Sequence, residues 1–203
     1  MAKKAQSTLV NMLLSLTAIA LVAAAALALM NAVTEEPIQV AKENKVKKAI
    51  ADVLQQVDEN GQVTESIKYE TLKDTAVDVN GESIVCHIAY TADGEYAGAA
   101  VETSDPNGFG GPLKVMVGFD KDGNVYGYSI LESNETPGLG AKAGDWFVKG
   151  GKGDIVSVEH ARPLTVKKDG GDVDAITGST ITSRAFLRSV NKAYTNLQSV
   201  LNK

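Results

Sequence analysis

Met12 to Met30 reads MLLSLTAIALVAAAALALM, 19 residues without a charge and with Ser15 and Thr17 as the polar side chains. No other feature of the 203-residue chain constrains its fold as strongly. A helix rises 1.5 Å per residue, so about 20 apolar residues cross the roughly 30 Å hydrocarbon core of a bilayer. In hydrocarbon each backbone polar group must pair internally, which makes such a segment helical. Leu9–Val10 and Ala32–Val33 extend the span. Lys3 and Lys4 precede it and Glu35 and Glu36 follow, so the basic side is expected in the cytoplasm and the remainder on the other side of the membrane. The alternative is a cleaved signal peptide with Ala26-Leu27-Ala28 as the small-residue site, but the run exceeds the usual apolar length of one. The expected organisation is a cytoplasmic stub and single-pass anchor over 1–34, a linker helix over 35–60 and an extracytoplasmic domain over 61–203.

Charge and glycine are unevenly placed. Residues 35–203 carry 18 basic and 25 acidic side chains, a net −7, which argues against a nucleic-acid binder driven by phosphate contacts. Between Gly94 and Gly178 stand 17 of the 19 glycines. The single cysteine excludes an intrachain disulfide framework and a cysteine-based metal cluster.

Periodicity predicts an α+β fold, an antiparallel meander with helices packed on one face. Pro37–Val57 is expected to be a helix with Val46, Ile50, Val53, Leu54 and Val57 on one side, and Lys42, Lys45, Lys47 and Lys48 on a solvated one. From Val63 to Leu131 the pattern is that of strands. Asn80-Gly81, Asp93-Gly94 and Asp122-Gly123 mark tight hairpins between or beside Ser83–Thr91, Glu95–Glu102, Leu113–Asp120 and Asn124–Leu131. Cys86 and His87 fall inside a strand, read as alternation between core and surface. Leu139–Val148 is a short helix, Gly150–Gly153 a loop, Pro163–Lys168 a strand, and Thr182–Leu201 a helix with an apolar stripe.

Several apparent motifs fail on spacing. Gly138–Gly144 has its third glycine one residue late for a dinucleotide fingerprint. Gly151-Lys152 lacks the hydroxyl residue of a P-loop. Asp120–Asn124 has its glycine two positions early for a calcium loop, and a hairpin turn explains it. Asn134-Glu135-Thr136 forms a glycosylation sequon, which carries little weight with Pro137 following and nothing in the sequence that suggests a eukaryotic secretory protein. His87 and His160 lack metal-ligand spacing, so no metal site is expected.

The informative stretch is Asp172 to Ser183, DVDAITGSTITS, a turn feeding a helix N-terminus. Thr180, Thr182 and Ser183 are possible N-caps, and the helix end suits an anion. From the residues alone, a plain hydroxyl-rich cap that needs no ligand is the favoured reading. Thr177-Gly178-Ser179-Thr180-Ile181-Thr182-Ser183, with Asp174 upstream, resembles the flavinylation motif of the FMN-binding domain family. Glu135-Thr136-Pro137-Gly138-Leu139-Gly140 and Gly108–Val115 resemble two further segments of that family, the former lining the flavin ring. The resemblance implies FMN joined through its phosphate to the Thr180 hydroxyl, with Asp174, Thr177, Gly178, Ser179, Thr182, Ser183 and Glu135–Gly140 around it. Trp146 is a candidate for the ring or for the core.

With the anchor and the length, the likeness is best to G subunits of Rnf-type complexes, which move electrons from ferredoxin to NAD⁺ while translocating ions. C subunits of Na⁺-translocating NADH:quinone reductases come second. The resemblance implies an electron-transfer subunit without a complete active site of its own. The implied partners are other membrane subunits and a flavin transferase that matures the chain. A standalone extracytoplasmic flavin reductase, or an exported non-redox domain holding another anion or a protein partner, is the alternative.

Overall fold

The computed structural model describes residues 8–57, 63–79, 82–156 and 163–202. The chain divides into two compact units, Met1–Lys45 and Val46–Lys203. Helix α1 runs Leu9–Val53 and belongs to both.

In the first unit α1 is long and apolar enough to cross a membrane, with a mean hydropathy of 2.5 over its best 18 residues, none of them buried. Its two polar side chains in the apolar run are satisfied within the helix. Ser15 Oγ donates to the Met12 carbonyl at 2.9 Å and Thr17 Oγ1 to that of Leu13 at 2.8 Å. This is the local bonding a hydroxyl needs where water is absent. The helix expected from Pro37 is continuous with the anchor segment, so Pro37 lies inside α1 and not near a helix start. Proline lacks an N–H, so one intrahelical bond is lost there, at an exposed position where water can replace it.

The second unit is built on a five-stranded antiparallel meander in sequence order: β3 (Thr71–Val79), β4 (Glu82–Tyr90), β5 (Tyr96–Asp105), β6 (Leu113–Asp120) and β7 (Val125–Glu132). β1 (Gln55–Val57) and β2 (Val63–Ser66) form a separate ribbon. The expected helix to Val57 therefore ends four residues early, and its last three residues pair with Ser66, Glu65 and Val63 instead. The Asp-Gly turns close as expected: Gly94 N–H donates to the Thr91 carbonyl and Gly123 N–H to that of Asp120. The Asp120 carboxylate also accepts from the Asp122 and Asn124 N–H groups, the bonding of a turn. Asn80-Gly81 and His160 lie outside the described residues.

Helices cover both faces of the sheet, not one. α3 (Thr180–Leu201) packs Ala185, Phe186, Val190, Ala193 and Leu197 against Ala99, Val101, Val115, Val117 and Phe119. The opposite face receives the end of α1: Ala49, Ile50, Val53 and Leu54 meet Ala89, Ala100, Met116 and Leu131. Alternate residues of one strand thus serve two cores, which is why Cys86 and His87 are both buried. Cys86 belongs to the α3 side, and burial pushes its thiol up to about 11. His87 Nδ1 is 2.6 Å from Asp74 Oδ1.

The α1 end approaches the sheet over a row of small residues paired across strands, Ala100, Gly118 and Gly127. A methyl on Gly118 would overlap the Val53 carbonyl oxygen, and one on Gly127 would come within 3.0 Å of it.

Pro163–Lys168 is not a strand. Leu164 finds its partners in a side chain: its N–H donates to Asn191 Oδ1 and its carbonyl accepts from Asn191 Nδ2, both at 2.8 Å. Only an isolated bridge, Val166 to Val173, has strand character before a 3₁₀ turn over Lys167–Asp169. A further 3₁₀ turn (Gly140–Lys142) and one α turn, α2 (Ala143–Trp146), fill the expected helix after β7. Tyr128 holds α2 in place: its hydroxyl donates to the Ala143 carbonyl at 2.7 Å and accepts from Phe147 N–H at 3.1 Å. Phe147 in turn stacks on Phe186 of α3 with centroids 4.4 Å apart.

Candidate functional site

The N-terminus of α3 carries an unmet demand. Its N-cap is Ser179, not the expected Thr180, Thr182 or Ser183, and no side chain caps the helix. The first intrahelical bond runs from Ser183 N–H to the Ser179 carbonyl, so the N–H groups of Thr180, Ile181 and Thr182 have no intrahelical acceptor. Two of the hydroxyls expected as caps are engaged elsewhere. Ser183 Oγ donates to the Ser179 carbonyl and accepts from Ile176 N–H, both at 2.9 Å. Thr182 Oγ1 donates to Glu135 Oε2 at 2.8 Å. Gly178 holds φ at +78°, a left-handed turn that delivers the chain into the helix and that a side chain would strain.

Glu135 is the junction of the site. Its carboxylate is buried, takes the Thr182 hydroxyl on one oxygen and the Gly110 N–H on the other at 3.2 Å. One side chain therefore ties the β5–β6 loop, the segment after β7 and the first turn of α3. A methyl on Gly110 would overlap the Asn134 carbonyl oxygen, so the β5–β6 loop can come this close only as bare backbone. Thr136 to Leu139 then closes a turn, with Leu139 N–H donating to the Thr136 carbonyl at 3.1 Å and Pro137 and Gly138 at its two central positions.

These segments enclose a cavity of about 330 Å³ lined by Phe109, Glu135, Thr136, Leu139, Gly140, Lys168, Gly178, Ser179, Thr180 and Ile181. That is the lower end of the usual range for small-molecule sites. Lys168 Nζ lies 3.4 Å from Thr180 Oγ1. Its 3₁₀ turn is fixed to α3 by a two-point ion pair, Arg184 Nε to Asp169 Oδ2 at 2.7 Å and Arg184 Nη2 to Oδ1 at 2.6 Å. Arg184 beside it holds the Asp169 carboxyl below the usual carboxylate range. One turn further along, Arg188 grips Asp105 at 2.7 and 2.9 Å and so anchors the end of β5. Burial opposes ionisation of Asp105, but the Arg188 bonds and the Asn107 N–H outweigh it and keep this carboxyl low as well. The cavity thus offers a cation and three helix N–H groups on the Thr180 side. That combination binds a phosphate-like anion.

The structure brings together seven of the thirteen expected residues as cavity lining: Thr180, Gly178, Ser179, Glu135, Thr136, Leu139 and Gly140. Thr182 and Ser183 are buried supports of the first helical turn. Pro137 and Gly138 shape the turn, and Thr177 is exposed outside the lining. Asp174 does not join them; its carboxylate pairs with Lys167 at 2.8 Å and its carbonyl accepts the Trp146 indole N–H at 2.9 Å. Trp146 is accordingly half-buried away from the cavity. Phe109, Lys168 and Ile181 were not among the expected site residues. The aromatic set between glycines in Gly108–Gly111 was a usable signal for the first; nothing in the local sequence singled out Lys168.

The FMN-binding domain profile matches residues 108–195, which include every segment of this cavity. A curated relative from Shewanella loihica, named as the G subunit of an ion-translocating oxidoreductase complex, is 34% identical over 193 residues, covering 91% of this chain and 89% of that protein. A protein of the same name from Shewanella piezotolerans is 33% identical over 178 residues, 86% of this chain and 82% of its own. The crystal structure of Shewanella oneidensis NqrC superposes with a TM-score of 0.39 at 19% identity over 75% of this chain and 82% of its own, a likeness too remote to bear on function.

Proposed function

The chain belongs to the family of G subunits of ion-translocating oxidoreductase complexes, and from that membership we propose that it is a membrane-anchored flavoprotein subunit with FMN joined through its phosphate to the Thr180 hydroxyl. In this role it relays electrons inside a multi-subunit complex that couples ferredoxin and NAD⁺ to ion transport. The observation that carries the reading is convergence. Two strings that start 42 residues apart, Glu135–Gly140 and Thr177–Ser183, line or support one cavity at an uncapped helix end.

The residues present fit the group. Thr180 is half-exposed at the cavity wall, so its hydroxyl is within reach of a modifying enzyme. A phosphodiester there keeps one negative charge, which the α3 N–H groups and Lys168 would hold. Leu139 and Ile181 supply apolar wall for a flat ring, and Thr136 and Ser179 supply polar edges. The flavin, when bound, supplies the redox chemistry; this chain positions it and sets its surroundings. Attachment would join Thr180 Oγ1 to the FMN phosphorus of FAD and break its pyrophosphate, with AMP and the hydroxyl proton leaving, so the maturation partner would be a flavin transferase. The tether keeps FMN on a domain outside the cytoplasm. α1 is the single-pass anchor in the bacterial inner membrane, with the N-terminus cytoplasmic and 61–203 extracytoplasmic. Relatives at 34 and 33% identity favour the G-subunit assignment over the C subunit of NADH:quinone reductase.

The test is a denaturing gel of the chain produced with its transferase, viewed under ultraviolet light. The wild-type band fluoresces, and Thr180→Val abolishes the fluorescence without changing the melting transition. A fluorescent Thr180→Val band refutes the site, and a wild-type chain without flavin mass refutes the function.

A further inference from the structure

Phe109 combines features that core packing does not explain. The residue is 69% exposed, the most exposed large hydrophobic residue among the described ones outside α1. An exposed aromatic on a mobile loop would need no comment, but this backbone is held from three sides. Gly110 N–H is bound by Glu135, and the loop touches Asn134 so closely that Gly110 tolerates no side chain. Asn107 N–H donates to Asp105, whose carboxylate is fixed by Arg188. A methyl on Gly108 would lie 2.7 Å from Glu135 Oε1. The loop therefore presents Phe109 from a fixed frame, and that frame borders the cavity. Phe109 is also the one aromatic among the cavity-lining residues described.

We propose that Phe109 is a binding residue for the flat ring of the cofactor, stacking on it and shielding it from water. This rests on the flavin reading above. The phosphate end is set by Thr180 and the α3 N-terminus, so the ring must lie along the remaining lining. An aromatic there gains an offset or edge contact beyond the area it buries. It also exchanges a costly wet surface on Phe109 for one covered by ligand.

The experiment uses the full chain in detergent, matured by its transferase, with intact mass, flavin fluorescence and iodide quenching measured on the same samples. Phe109→Trp keeps the flavin mass and dims flavin fluorescence strongly, because an indole in contact with the ring donates an electron to its excited state. Phe109→Ala keeps the flavin mass and makes the ring about fivefold more accessible to iodide, the equivalent of losing roughly 1 kcal/mol of ring contact. Undimmed fluorescence in Phe109→Trp, or unchanged quenching in Phe109→Ala, with the flavin mass present overturns the proposal. Loss of the flavin mass in Phe109→Ala with an unchanged melting transition also overturns it, by assigning Phe109 to attachment. A wild-type chain lacking the mass refutes the flavin reading instead.

Discussion

Gly118→Ala is the sharpest test of how the domain is built. Gly118 faces the end of α1, and its methyl would occupy the space of the Val53 carbonyl oxygen. That oxygen is backbone at a helix end, so no rotamer change relieves the overlap. Overpacking of this kind costs about 1–3 kcal/mol when neighbours give way. The alternative is undocking of the α1 end, which would expose Ile50, Val53 and Leu54, now 8%, 0% and 1% exposed. Each is worth at most about 1.5–3 kcal/mol of burial, so the sheet should yield before the helix leaves. A loss near 2 kcal/mol corresponds to a melting shift of roughly 4–8 °C in a unit of this size. Two neighbours calibrate the measurement. Gly127→Ala meets the same oxygen at 3.0 Å and should cost less; Gly144→Ala meets nothing within 4 Å and should be neutral. Thermal melts of the full chain in detergent, with hydrogen exchange at the Leu54 and Ile67 amides, read both outcomes. The Leu54 amide bonds Ile50 and the Ile67 amide bonds Leu54, so they report this junction. Equal melting temperatures for the Gly118 and Gly144 variants would refute the packing argument.

Other outcomes follow from the site. Glu135→Ala leaves the Gly110 N–H and the Thr182 hydroxyl unpaired and should lower stability by about 2–4 kcal/mol, whereas Glu135→Gln keeps an acceptor and loses about 1, measured by denaturant titration. The Asp105–Arg188 pair depresses the folded pKa of Asp105 below its ordinary 3.8, so the folded state binds fewer protons. Its stabilisation is complete above 3.8 and is lost as pH falls through the folded value; Arg188→Leu should flatten the melting temperature between pH 4.5 and the acid transition relative to wild type. Cys86, fully buried with its thiol at about 11, should resist maleimide at pH 8 until the chain is denatured.

Much of the meander was legible because its turns announce themselves. Asp93-Gly94 and Asp122-Gly123 stand between alternating apolar runs, and local chemistry alone fixes such hairpins. The apolar stripe of α1's end was equally visible, but a stripe does not say which face of a sheet it will cover. The small row Ala100, Gly118 and Gly127 answers that, and it becomes a row only once the strand register is known. Pro163–Lys168 has strand composition, yet the Asn191 amide takes the place of a neighbouring strand. The same distinction runs through the site. Thr180 and Glu135 were readable from contiguous strings, while Lys168 arrives beside Thr180 through the pairing of Asp169 with Arg184. Asp174 was expected at the site because it matches the aspartate of the family motif, but its carboxylate is held by Lys167 outside the cavity lining.

The Glu135 junction also bears on timing. Its partners come from residues 110 and 182, 25 and 47 positions away in opposite directions along the chain. A nascent chain has no such cavity until the sheet has closed and its final helix has docked. On the proposed reading, a transferase that recognises the cavity marks only molecules that have finished folding. The fraction of chains bearing flavin would then serve as a census of correctly exported protein, taken by the cell itself at the last step of assembly.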